Sequence, residues 1–114
     1  MGENPVIEVE AMFLTREQGG RKTAPDLGAG RYMPHLVVQP AQALSAASKF
    51  EEAYLGVTFV SGPESLLQGQ SGRFAVELMY HPQVNYESLT AGACFTIREG
   101  AKVVGCGTVV RRPD

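Results

Sequence analysis

Tryptophan is absent from this 114-residue chain, cysteine occurs twice, and no apolar run approaches the length of a membrane-spanning helix, which takes about 20 residues. Cys94 and Cys106 form no CxxC pair, and two thiols alone do not complete the four-ligand set of a structural zinc site. The N-terminal Met1-Gly2-Glu3-Asn4-Pro5 is polar, without the basic and apolar regions of a secretory signal. A cytoplasmic setting with reduced thiols is therefore the expectation, and no membrane association is expected. Positive charge is not in excess either: 10 Lys and Arg face 12 Asp and Glu, for a net charge of −2. Dedicated nucleic-acid binders usually have a basic domain, so the global balance argues against one while leaving room for a local basic patch.

Catalytic patterns are also missing. A phosphate-cradling loop ends in Gly-Lys-Ser/Thr, and none of Lys22, Lys49 and Lys102 stands in that context. No GTP binding or hydrolysis is expected. His35 and His81 are the only histidines and lie far apart in sequence, and there is no nucleophile-elbow motif. His81, just before Pro82, reads as a strand-end residue. Glu51-Glu52 reads as a solvated charge pair, and Glu8 and Glu10 as the outward positions of a strand. The chain is read as non-enzymatic and without a cofactor or metal.

What is present is the material of one domain, residues 1–114. Hydrophobic residues make up 44%, and 13 Gly and 7 Pro punctuate the chain without a period. Ile7 to Leu14 begins with apolar/polar alternation, the signature of a strand with one buried face. Thr15 to Gly30 follows as a long loop in which Gly19-Gly20 permits positive φ. Pro34 to Val38, Leu55 to Val60 and Arg73 to Tyr80 read as strands. Cys94 to Ile97 and Lys102 to Val110 form a hairpin around Arg98-Glu99-Gly100-Ala101. Ala41 to Tyr54 is compatible with a helix of one or two turns and with an irregular loop. About six short strands with turn signals between them describe an antiparallel barrel or sandwich.

Two blocks narrow that choice. Ile7-Glu8-Val9-Glu10-Ala11-Met12-Phe13-Leu14-Thr15-Arg16-Glu17-Gln18-Gly19-Gly20-Arg21 resembles, without a gap, the opening strand and Gly-Gly-Arg loop of the third domain of elongation factor Tu. The run from Phe95 to Val110 resembles that domain's final hairpin, and Tyr32-Met33-Pro34-His35 and His81-Pro82 resemble two segments between them. The order is collinear over nearly the whole chain. The resemblance implies an all-β fold, a closed antiparallel six-stranded Greek-key barrel, with Phe95, Ile97, Val57, Phe59, Val76 and Leu78 in its core. The chain departs from the family where an Ala-rich stretch from Pro40 to Tyr54 replaces a Thr-Gly segment.

By the same resemblance, contacts to a tRNA T-arm fall on Arg21, Lys22, His35, His81, Arg98, Glu99 and Gly100. Arg and Lys suit phosphates, and a glycine N–H can approach a sugar-phosphate closely. Two functions are implied: docking of a protein partner, such as a translation-related GTPase or factor, and weak RNA binding through the Arg21/Lys22 loop and the Arg98–Gly100 turn. The resemblance also favours Gly100-Ala101 as a two-residue turn. Counting back from it sets Phe95 opposite Cys106, makes Cys106 a small core residue, and turns Cys94 to the other face without a disulfide. A one-residue change in the turn would instead set Cys94 opposite Cys106.

Overall fold

In the computed structural model, residues 4–23, 25, 32–39, 54–63, 66–81 and 83–112 are described. Six strands carry the chain: β1 (Val6–Phe13), β2 (His35–Gln39), β3 (Leu55–Ser61), β4 (Ser71–Leu78), β5 (Cys94–Glu99) and β6 (Lys102–Arg111). All pairings are antiparallel, and the order β1-β4-β3-β2-β5-β6 closes on itself. β2, β3 and β4 are consecutive neighbours, and β5 returns to lie beside β2, which is a Greek key. Among the described residues the only helix is the single 3-10 turn Arg16–Gln18. The stretch from Ala41 to Ala53, read as helix or loop, lies outside the described residues.

The alternation read in β1 is the alternation observed. Ile7, Val9, Ala11 and Phe13 are buried, whereas Glu8 and Glu10 face outward. The six expected core residues, Phe95, Ile97, Val57, Phe59, Val76 and Leu78, are all buried. Four rings, Phe13, Tyr32, Phe59 and Phe74, meet with centroids 5.2–6.3 Å apart, within the range of favourable aromatic pairs. They fill the barrel end at which β1 finishes. At the other end Tyr86 is buried, and its hydroxyl donates to the Gly56 carbonyl at 2.7 Å and accepts from the Tyr80 N–H at 3.0 Å. β4 ends at Leu78, two residues before the expected Tyr80, because the chain turns there, with the His81 N–H on the Leu78 carbonyl.

The hairpin register differs from expectation. The two-residue turn is present, with Glu99 opposite Lys102 and Gly100 at φ +62°. Beyond Arg98 and Val103, however, the ladder slips by one residue: Ile97 faces Gly105, Thr96 faces Cys106, and Phe95 faces Gly107. The extra residue, Val104, is fully buried. Cys106 is consequently half-buried on the outer wall and not in the core, and it shares that wall with Cys94, whose partner is Thr108. Two interior positions left to glycine explain the slip. A Cβ at Gly107 would sit 2.8 Å from Phe95 Cζ and 2.9 Å from Ala11 Cβ, and one at Gly105 would sit 2.5 Å from the Met12 carbonyl oxygen. Only glycine lets β6 pass that close to β1 under the Phe95 ring.

Candidate functional site

The loop after β1 is built to hold Arg21 in place. Thr15 Oγ1 accepts from the Gln18 N–H at 3.2 Å, and Gln18 Oε1 accepts from the Thr15 N–H at 2.8 Å, a reciprocal cap on the 3-10 turn. Gly19 then adopts φ +89°. Gly20 follows so close to Leu14 that a Cβ would collide with the Leu14 carbonyl. Gln68 Nε2 bonds the carbonyls of Leu14 (3.1 Å) and Arg21 (2.7 Å), tying the start of this loop to its end.

Arg21 is delivered onto the β5–β6 turn. Its Nη1 is 2.7 Å from Glu99 Oε2, and its guanidinium lies 5.7 Å from the centre of the Tyr32 ring. The Tyr32 hydroxyl donates to the same Glu99 Oε2 at 2.7 Å. Burial pushes the Tyr32 phenol well above its ordinary range, and the Glu99 carboxylate that accepts its hydrogen bond reinforces the shift. Arg21, Tyr32 and Glu99 thus form a half-buried triad that locks the loop, the segment before β2 and the hairpin turn together. Gly100 adjoins it, exposed in the turn. Lys22 is exposed with no side-chain partner among the described residues.

Arg98 takes a different direction. It is buried on the outer wall, with Nε on Thr96 Oγ1 at 2.9 Å and Nη1 on the Tyr54 hydroxyl at 3.1 Å. His35 faces Arg98 across β2 and β5, and its ring meets Tyr54 edge-on at 5.8 Å. On the same wall the Tyr80 ring covers Gly56, the partner of His35 on β3. The pairing with β3 continues back through Pro34 and Tyr32, whose carbonyls accept from the Val57 and Phe59 N–H groups, so Met33 shares the outward face of His35. Tyr54, Tyr80 and Met33 remain 40%, 51% and 57% exposed. His81 is at the opposite barrel end from Arg21, because β4 runs from Met12 of β1 toward Val6. The seven positions therefore separate: Arg21, Lys22, Glu99 and Gly100 at one end, His35 and Arg98 on the wall, and His81 at the other end, next to Tyr80.

Sequence reasoning missed Tyr32, Tyr54, Tyr80 and Gln68 as members of these clusters. Tyr32 gives the one usable signal, an aromatic two residues before a proline at a strand entrance. No family model matches the chain.

Proposed function

We propose that this protein is a non-catalytic binding module that docks a protein partner through the Met33–Tyr54–Tyr80 wall. The carrying observation is how its arginines are used. The two that the resemblance to elongation factor Tu would aim at phosphates are engaged within the chain, Arg21 by Glu99 and Arg98 by Thr96 and Tyr54. Phosphate binding dominates RNA affinity and grows with the number of cationic contacts, so Lys22 and the Gly100 turn offer little. Exposed Tyr and Met beside an arginine are the residue types enriched at protein interfaces. The resemblance supplies the partner class, a translation-related GTPase or a protein that recognises such a factor.

A photo-crosslinking amino acid at position 80 tests this. The expected result is a discrete protein adduct that survives nuclease and high salt. It should be lost with Met33→Asp and absent when the same group is placed at position 17. RNA adducts that weaken steeply with salt would instead support an RNA-binding module and overturn the docking reading.

A further inference from the structure

A second surface lies away from that wall. Ser61, Ala75, Glu8 and Arg111 are register partners in one row across β3, β4, β1 and β6. A trough of about 620 Å³ lies over this row. The Ile7 and Phe74 side chains turn inward to the core, so its apolar side chains are those of Val6 and Ala75 on the outer face. Its depth has a local cause, since Ala75 sets a methyl group where its β4 neighbours Arg73 and Glu77 set long chains. Two of the three register slips among the described residues bracket the row, one between Phe59 and Ser61 and one between Glu8 and Val9. Bulges of this kind re-aim side chains and gather beside functional sites.

Among the described residues, three guanidiniums line the trough with one carboxylate. Glu8 holds two of them: Arg73 Nη1 at 2.8 Å and Arg111 Nη2 at 3.6 Å. Arg112 is fixed from behind, with Nη1 on the carbonyls of Tyr86 (2.7 Å) and Leu89 (3.2 Å). The side chains of Arg73 and Arg111 are 59% and 79% exposed, and each spends one nitrogen on Glu8. A planar guanidinium edge matches a carboxylate or phosphate in a bidentate fashion. The volume is that of a small-molecule site. Glu10 and Glu77 border the row on either side, so positive charge does not continue into a track for a polyanion.

We propose that this trough binds a small organic oxyanion, with its carboxylate or phosphate head between Arg73 and Arg111 and a short apolar body over Val6 and Ala75. Amide NMR titration of the full chain tests it with phenyl phosphate, benzoate, inorganic phosphate and benzyl alcohol as probes. Saturable shifts centred on Glu8, Ser61, Ala75 and Arg111 are expected with phenyl phosphate or benzoate, and the tighter of the two assigns the head group. Inorganic phosphate should bind more weakly and benzyl alcohol not at all. Arg73→Gln and Arg111→Gln should each weaken binding about three- to tenfold. Glu8→Gln removes a carboxylate that competes with the ligand and should tighten binding roughly threefold, a gain that a poorly folded variant would not mimic. The proposal is overturned if neither organic anion gives saturable shifts at these amides, or if Glu8→Gln weakens binding. It is equally overturned if a short oligothymidylate binds the same amides more tightly than phenyl phosphate, which would make the surface a nucleic-acid site.

Discussion

Tyr32 is the residue on which the loop end of the barrel turns. Its ring lies among Phe13 and Phe59 while its hydroxyl reaches out to Glu99. Its phenol is raised in the folded state, foremost by burial, and burial also raises that of Tyr86. The sign of the consequence follows from proton linkage. Below about pH 10, the ordinary phenol pKa, both folded and unfolded chains hold the proton and the shift changes nothing. Above it the unfolded chain ionises first, so stability falls as pH rises, by up to about 1.4 kcal/mol per pH unit for each phenol. Urea midpoints measured from pH 8 to 11 should therefore be level and then drop. Tyr32→Phe should cost about 1 kcal/mol at pH 8 through the lost hydrogen bond and should shrink the alkaline drop. An unchanged drop in that variant would mean that Tyr32 ionises freely in the folded protein.

At the scale of the element, the β5–β6 hairpin separates what a sequence discloses from what it does not. The strand pattern was legible because burial enforces alternation, and the turn was legible because Gly100-Ala101 joins two alternating runs. The slip at Val104 was not, since a turn fixes register only for the pairs next to it. What displaces the ladder is contact between Gly105, Gly107 and β1, almost a hundred residues away in sequence. A separation of 78 residues hid the Arg21–Glu99 pair: both residues read as ligand contacts, but nothing local says that each is the other's partner. The observed register makes a sharp contrast between neighbours. Gly107→Val places a branched side chain against Phe95 and Ala11 and should destabilise by about 1–3 kcal/mol or more. Cys106→Val points to the outer wall and should change stability by about 0.5 kcal/mol or less. Thermal denaturation of the two variants decides it. The expected register, with Cys106 in the core opposite Phe95, would be restored by a large loss at position 106 and tolerance at 107.

For the whole molecule, closure is the decisive property, since β1 near the start pairs with β6 near the end, with Val9 opposite Val109. No strand can leave without opening two ladders and exposing the shared core. A single cooperative unit should result, as for most domains of this size. The chain carries tyrosines suited to testing this, because Tyr32 is packed at one barrel end and Tyr86 at the other, while Tyr54 and Tyr80 are on the wall. Labelling with 3-fluorotyrosine should give four fluorine resonances, assignable by single Tyr→Phe changes. In a urea titration the folded signals of Tyr32 and Tyr86 should disappear at the same midpoint. Phe95→Ala, in the interior of β5, should shift both by an equal amount, corresponding to roughly 3–5 kcal/mol. Separate midpoints, or a shift at one end alone, would show that the two ends unfold independently and that β1–β6 pairing does not bind the barrel into one unit.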